Sequence, residues 1–218
     1  MSWSEIFTIT SALLQGLGTV LTMFFVTMLA AMPLGFLLTL AGRCRIAPIR
    51  WLINAYIYVM RGTPLMLQLF FIYYGLPFVN DFFKMALRSA MVCALLGFVL
   101  NYAAYFAEIF RGGLLAVEKG QYEACQVLGL NKVQTILSII LPQMFRVALP
   151  SITNESITLI KDTALVFSIS VLEILYYAKA AVTRTGSVVP YVIAFLIYLI
   201  LNSVLQLFFN WLEKKTAY

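Results

Sequence analysis

The run GLGTVLTMFFVTMLAAMPLGFLLTLA occupies residues 16–41 and carries no charged side chain along its whole length. About 20 residues of helix cross the ~30 Å hydrocarbon core of a bilayer, where every backbone polar group needs an internal hydrogen bond. The run is therefore predicted to be a membrane-spanning α-helix. It stops at Gly42, and Arg43 and Arg45 follow at once, as is typical of a chain that leaves the bilayer.

Four further apolar segments follow in a chain of 218 residues that is 62% hydrophobic and only 11% charged. Soluble globular domains are not usually that apolar. The sequence predicts an all-α polytopic membrane protein with five transmembrane helices, in one domain that covers residues 1–218. The predicted spans are residues 16–41, 52–79, 89–110, 141–167 and 188–211, with a cytoplasmic loop over 111–135 and a short amphipathic segment over 168–187.

The distribution of Lys and Arg predicts the orientation, because basic residues favour the cytoplasmic side of a membrane. With the N-terminus outside and the C-terminus in the cytoplasm, eight basic residues fall in inner loops and the tail, against four in outer loops. The inner ones are Arg43, Arg45, Arg50, Arg111, Lys119, Lys132, Lys214 and Lys215, and the outer ones are Lys84, Arg88, Lys179 and Arg184. This topology explains the net charge of +6 without nucleic acid.

Two further features bound the class of protein. Residues 1–42 contain no Lys or Arg, so the first apolar run is expected to stay as a span and not to be a cleaved signal peptide. The three cysteines, Cys44, Cys93 and Cys125, are odd in number and lack C-x-x-C spacing, so neither a disulfide framework nor a zinc site is indicated.

The predicted second span contains a helix break. Its apolar stretch is interrupted by Arg61-Gly62-Thr63-Pro64, and proline cannot donate the backbone hydrogen bond that a helix interior needs. We expect Gly62 and Pro64 to break the helix, with the residues before Arg61 partly at the interface. Arg61 is expected to extend toward cytoplasmic phosphates, not to bind a substrate.

A polar stretch, EACQVLGLNKVQTILSIILP at residues 123–142, separates the third and fourth spans. It predicts a short helix over 122–128, with Gly120 ending the helical piece before it and Gly129 as its C-cap. Small side chains at Ala124 and Cys125 would let a partner approach the backbone closely. Glu123 would place a charge near the helix start. A surface helix without any partner is the alternative.

Read together with YFAEIFRGGLLAVEKGQ at 105–121, this stretch resembles the EAA loop of permease subunits in bacterial ATP-binding-cassette (ABC) importers, in the branch for polar amino acids. The resemblance extends to Arg61-Gly62-Thr63-Pro64-Leu65 with Gln68, and to Lys161-Asp162-Thr163-Ala164-Leu165. Two departures are Cys125, where the family usually has Ala, and Ala164, where it often has Ser. The similarity covers most of the chain.

The resemblance implies a non-catalytic permease of the type I importer architecture in the bacterial plasma membrane. A cytoplasmic ATPase dimer would bind ATP and Mg²⁺, and this chain would bind no cofactor; it has no Gly-x-x-x-x-Gly-Lys-Ser/Thr loop of its own. A second permease, identical or homologous, and an extracytoplasmic amino-acid-binding protein would complete the importer. The residues implied in coupling to the ATPase are Gly120, Glu123, Ala124, Cys125 and Gly129.

Candidate pathway residues follow from polar groups inside predicted spans, where ionisable side chains usually face a cavity or a partner. In the fourth span these are Asn154, Glu155, Lys161 and Asp162. Glu155 and Asp162 are two helical turns apart and therefore share a face of the helix. Asn154 and Lys161 have the same separation and share the adjacent face. The alternative is that Lys161 and Asp162 only fix helix packing. In the third span, Asn101 is a further candidate within a stripe of small residues.

The predicted function is ATP-driven uptake of polar amino acids. A carboxylate at Glu155 favours a cationic substrate such as arginine, lysine or histidine, and Lys161 would suit a substrate carboxylate. Glutamine, glutamate or cystine are alternatives within the same class. An ion-coupled secondary transporter or channel is an alternative of another class, disfavoured by five crossings without an inverted repeat. A structural membrane subunit without a pathway is a further alternative.

Overall fold

The computed structural model describes residues 2–216, which are almost entirely helical and contain no β-strand. The predicted all-α class is therefore confirmed. The α-helices are α1 Trp3–Leu14, α2 Leu17–Ala41, α3 Ala47–Gly62, α4 Leu65–Phe70, α5 Asp81–Ala86, α6 Ala90–Ala116, α7 Lys119–Val127, α8 Lys132–Gln134, α9 Leu141–Asp162, α10 Ile174–Thr185 and α11 Val189–Thr216.

Helices α1 and α2 join into one helical run, Trp3–Ala41, which begins well before the predicted span at residue 16. A capping box explains the early start: the Ser2 hydroxyl accepts from the Glu5 N–H, and the Glu5 carboxylate accepts from the Ser2 N–H over 2.8 Å. At the junction of the two helices, Gly16 lies against the backbone of Glu173 and Ile174. The first helix is thereby held to the start of α10.

The second span is broken as the sequence predicts. Helix α3 and the helical run Leu65–Phe78 meet at 107°, with Thr63 and Pro64 between them in extended conformation. Because Pro64 has no N–H, the helix cannot satisfy the carbonyl of Met60. Two side-chain amides do so instead: Gln68 donates over 2.9 Å and Asn101 over 3.0 Å. The break is a hydrogen-bonded structure that ties α3, α4 and α6 together.

Helix α6 lies at the centre of the molecule and packs against α2 and α9. Small residues allow the close approach. A Cβ added at Gly35 of α2 would lie 2.7 Å from the Cβ of Phe106, and a Cβ added at Gly97 would lie 2.7 Å from Leu69 Cδ2. The Thr39 hydroxyl also donates to the Ala107 carbonyl over 2.8 Å. Gly97, one of the small residues of the predicted third span, thus lies in the core.

The predicted loop over 111–135 is shorter in the structure. Helix α6 continues through Gly112 and Gly113 to Ala116, because Gly113 packs against α9, where a Cβ would lie 2.9 Å from the Met144 carbonyl oxygen. The next helical run begins at Lys132 and reaches Ile169 through a π-helical turn, Thr135–Ile140, and a 3₁₀ segment, Thr163–Ile169. The predicted fourth span, 141–167, lies inside this run.

The chain ends with α10, which occupies the predicted amphipathic segment, and the long α11. Glu173 caps α10: its carboxylate accepts from the N–H groups of Leu175 and Tyr176, each over 2.6 Å, and from the Tyr198 hydroxyl of α11 over 2.9 Å. Within residues 2–216, four helical runs are long and apolar enough to cross a membrane, and the bent pair makes five. This is the five-helix architecture that the sequence predicts.

Candidate functional site

Helix α7, between the third and fourth spans, is exposed over almost its whole length. Cys125 alone among its residues is buried, and α7 packs on the π-helical turn Thr135–Ile140. A side-chain hydrogen bond of 3.0 Å, from Gln143 Nε2 to Gln121 Oε1, also ties α7 to α9. The helix is therefore held on one side and free on the other.

The structure corrects three predictions about this helix. It begins at Lys119, so Gly120 lies in its first turn and does not end the helical piece before it, which stops at Ala116. Glu123 consequently lies in the second turn and not at the helix start. Cys125 is 3% exposed and faces the protein, so it cannot belong to a surface that a partner touches. A helix this short carries no sequence signal for which face is buried.

The end of α7 is a Schellman motif at the predicted glycine. Gly129 has φ +70°, the Leu130 N–H donates to the Cys125 carbonyl over 3.0 Å, and the Gly129 N–H donates to the Gln126 carbonyl over 3.1 Å. Positive φ is the conformation that glycine adopts at little cost. Gly129 therefore fixes where the helix stops and where the chain turns toward α8.

The free face of α7 is thin and partly apolar. Gly120, Glu123, Ala124 and Val127 follow helical spacing along one face and are all exposed. Val127 is 88% exposed and the neighbouring Leu128 76% exposed. Large apolar side chains at this exposure, beside residues with little or no side chain, form a surface suited to another protein.

A polar groove runs along α6 and α9 beside the broken helix. It comprises two adjoining clefts of about 450 and 330 Å³, and Arg61, Tyr105 and Glu155 line both of them. The first cleft reaches Asp162 and the second reaches Gly112 and Gly113. The groove thus extends along much of the length of both helices.

Glu155 is the one pathway candidate with a free charged group facing this groove. Its side chain is half-buried, and among residues 2–216 it has neither a hydrogen bond nor an ion pair within 4.0 Å. A partly desolvated carboxylate without a partner is costly unless a cation meets it. Glu155 is therefore placed to bind a positively charged group that enters the groove.

The other candidates divide by helix face. Asp162 shares the groove face, but its carboxylate accepts a 2.7 Å hydrogen bond from the buried Tyr102 hydroxyl, which ties α9 to α6. Asn154 and Lys161 are exposed and line neither cleft. Asn101 lines the first cleft, yet its amide also donates to Gln68 Oε1 over 3.0 Å. Asp162 and Asn101 thus hold the groove in shape.

Arg61 is a groove residue that sequence reasoning missed. Its guanidinium lies 5.4 Å from the centre of the Tyr105 ring and 4.0 Å from the Glu108 carboxylate, which also pairs with Arg111. The side chain is therefore turned toward α6 and the groove. The signal was present, because a charged residue inside an apolar run next to a helix break usually faces a cavity.

Comparisons with known proteins identify the class of protein. A broken span beside a polar groove is typical of membrane-spanning transport subunits. Residues 31–218 match the family described as binding-protein-dependent transport system inner membrane component. The chain belongs to this family of ABC transporter permeases, which are not catalytic, and is a multi-pass protein of the bacterial plasma membrane.

Two relatives and one solved structure are similar over most of the chain. The probable amino-acid ABC transporter permease protein YckA of Bacillus subtilis is 41% identical, over 94% of this chain and 89% of the relative. The arginine ABC transporter permease protein ArtM of Escherichia coli is 36% identical, over 76% of each. A crystal structure of an amino acid ABC transporter with histidines has a TM-score of 0.87 at 28% identity, covering 99% of both chains.

Proposed function

We propose that this chain is the permease subunit of an importer for polar amino acids, driven by a cytoplasmic ATPase dimer that binds ATP and Mg²⁺. The chain pairs with a second permease, identical or homologous, and receives its substrate from an extracytoplasmic binding protein. The names of its relatives support amino acids as the substrate class. The N-terminus lies outside and α7 in the cytoplasm, in accord with the distribution of basic residues.

The observation that carries this proposal is the free face of α7. Gly120 and Ala124 let the ATPase approach the helix backbone, Glu123 supplies a charge, and Val127 with Leu128 supplies the apolar contact. Cys125 and Gly129 act indirectly, because one seats the helix on the protein and the other fixes its end. Closure of the ATPase dimer then moves α7, and with it the spans on either side.

The groove is the proposed substrate pathway. Glu155 binds the cationic side chain or ammonium group of the amino acid, so arginine, lysine or histidine is preferred over glutamine, glutamate or cystine. Arg61 binds the carboxylate of the substrate, a role that the sequence predicts for Lys161. An ion-coupled transporter or channel would need no ATPase, and the exposed α7 would then have no partner.

The test is a bulky substitution on the free face of α7. Ala124→Trp leaves the packed side of the helix untouched, so the permease should fold while ATPase binding and substrate-stimulated ATP hydrolysis in the reconstituted complex are lost. Gln126→Trp is the matched control, because Gln126 is exposed on the flank of the same helix. If Ala124→Trp co-purifies with the ATPase and shows normal ATP hydrolysis and uptake, α7 is not the docking site of the ATPase.

A further inference from the structure

A further cleft lies away from the groove, between the first half of α9 and the end of α11. It has a volume of about 420 Å³, and its lining includes Arg146 and Pro150 of α9 with Glu213, Lys214 and Thr216 of α11. Arg146 and Lys214 come from different helices and are both exposed. The fold thus brings two cations together at one opening on the protein surface.

Within residues 2–216, neither Arg146 nor Lys214 makes an ion pair within 4.0 Å. Every ion pair within 4.0 Å among residues 2–216 involves Glu108, far along the sequence from the cleft. The carboxylate in the cleft, Glu213, instead accepts a 2.6 Å hydrogen bond from the Thr153 hydroxyl. The cleft therefore presents two cations, with Lys215 adjacent, against one carboxylate that is already hydrogen-bonded.

A residue that lines the cleft also carries a backbone carbonyl without its usual helical donor. Pro150 lies inside α9 and has no N–H, so the carbonyl of Arg146, one turn earlier, receives no helical hydrogen bond. This carbonyl can accept a hydrogen bond from a hydroxyl or ammonium group. Cations beside a free acceptor match a headgroup that carries both a phosphate and a hydrogen-bond donor.

The position along α11 indicates the edge of the bilayer. Trp211 is 57% exposed, and the Lys215 ammonium lies 5.2 Å from the centre of one of its rings. Tryptophan with neighbouring basic residues is typical of the membrane–water interface. By helical spacing, Leu207 and Trp211 share a face with Lys214, and Leu207 is 69% exposed. Apolar surface for an acyl chain thus adjoins the cations on one face of α11.

We propose that the cleft between α9 and α11 binds the phosphodiester of an anionic phospholipid headgroup, with Arg146 and Lys214 as its cationic contacts. The shared chemistry is a phosphate anion, and the adjoining apolar face selects a membrane lipid over a free phosphate. Basic pockets between transmembrane helices bind anionic headgroups in this way. The site is separate from α7 and from Glu155, so it does not rest on the transport proposal.

The test uses the full-length chain, delipidated in detergent and titrated with phosphatidylglycerol or phosphatidylcholine under native mass spectrometry. Phosphatidylglycerol should bind the wild type more tightly than phosphatidylcholine does. The double variant Arg146→Gln and Lys214→Gln should bind phosphatidylglycerol about thirtyfold more weakly, as expected when two basic contacts to an anionic surface are lost. Inorganic phosphate at millimolar concentration should not displace the lipid.

The matched control removes the same charge elsewhere. Arg45 and Arg50 are exposed on the same predicted side of the membrane but outside the cleft, so Arg45→Gln with Arg50→Gln should bind as the wild type does. Equal losses in both double variants, equal binding of the two lipids, or displacement by inorganic phosphate would each overturn the proposal. If the double variant Arg146→Gln and Lys214→Gln unfolds at a lower temperature than the wild type, Lys214→Gln alone is titrated instead. Its binding of phosphatidylglycerol should be about fivefold weaker than that of the wild type.

Discussion

The Asn101 side chain donates a 3.0 Å hydrogen bond to the backbone carbonyl of Met60, across the interface of α6 and α3. This carbonyl is the one that Pro64 leaves without a helical partner. Gln68 bonds to the same carbonyl and accepts from Asn101, so the two amides form one network around the break. The broken helix lines the groove, and its shape thus depends on a residue of another span.

We predict that Asn101→Ala lowers the free energy of unfolding by about 1–3 kcal/mol, because the Met60 carbonyl and the Gln68 side chain each lose a buried donor. Thermal unfolding of the purified permease, followed by circular dichroism, measures the loss.

Asn202→Ala is the matched control. The Asn202 amide donates only to the Tyr198 carbonyl on its own helix, and its buried oxygen has no partner within residues 2–216, so its loss should cost less. Equal melting of the two variants would contradict the role of Asn101.

A second prediction concerns the close contact between the first helix and α10. A Cβ at Gly16 would lie 2.4 Å from the Ile174 backbone nitrogen, whereas one at Gly18 meets nothing within 4 Å. Gly16→Ala should therefore destabilise the permease by about 1–3 kcal/mol or more, because backbone on both sides must move. Gly18→Ala should stabilise it by up to about 1 kcal/mol through helix propensity. Melting temperatures that shift in the same direction would refute the contact.

A third prediction is a pH dependence caused by Glu173, which is fully buried and lies outside the spans. Burial raises the pKa of its carboxyl above the ordinary value, although hydrogen bonds from Leu175, Tyr198 and Tyr176 oppose the rise. A raised pKa in the folded state means that folding favours the protonated form. The stability contribution is complete below the ordinary glutamate pKa of about 4.3 and is lost as the pH rises through the raised folded value.

The measurement is the melting temperature of wild type and Glu173→Gln between about pH 4 and pH 8. The wild type should lose stability relative to the variant as the pH rises, because only the wild type must ionise a buried group. Glu118→Gln, which removes an exposed carboxyl, serves as the control. A constant difference between wild type and Glu173→Gln across this range would exclude Glu173 as its source.

The sequence predicts the local features well, because their chemistry lies in single residues. Pro64, directly after Gly62 and Thr63, breaks the second span, and Gly129 ends α7. The two faces of α9 also follow from spacing, since Glu155 and Asp162 share the groove while Asn154 and Lys161 lie off it. Periodicity separates faces but does not say which one meets the neighbouring helix.

What the sequence does not predict depends on contacts between distant segments. Cys125 faces inward because α7 rests on the turn Thr135–Ile140, and α6 continues through Gly113 because α9 lies against it. Arg61 reaches the groove because the break turns α3 by 107° toward α6. Each depends on tertiary packing, which overrides the local pattern.

The last prediction concerns substrate choice at Glu155. In the wild type this half-buried carboxylate has no partner among the described residues, so a cationic substrate gains a charge-assisted hydrogen bond there. Glu155→Gln keeps the size of the side chain and removes the charge. Uptake of labelled arginine by the reconstituted importer should lose about tenfold or more in apparent affinity, while glutamine uptake should change little.

Asn154→Ala, a change at the adjacent residue that lies off the groove, should alter neither arginine uptake nor glutamine uptake. An unchanged preference in Glu155→Gln would remove Glu155 from substrate selection, and a changed preference in Asn154→Ala would mean that the substrate follows the other face of α9.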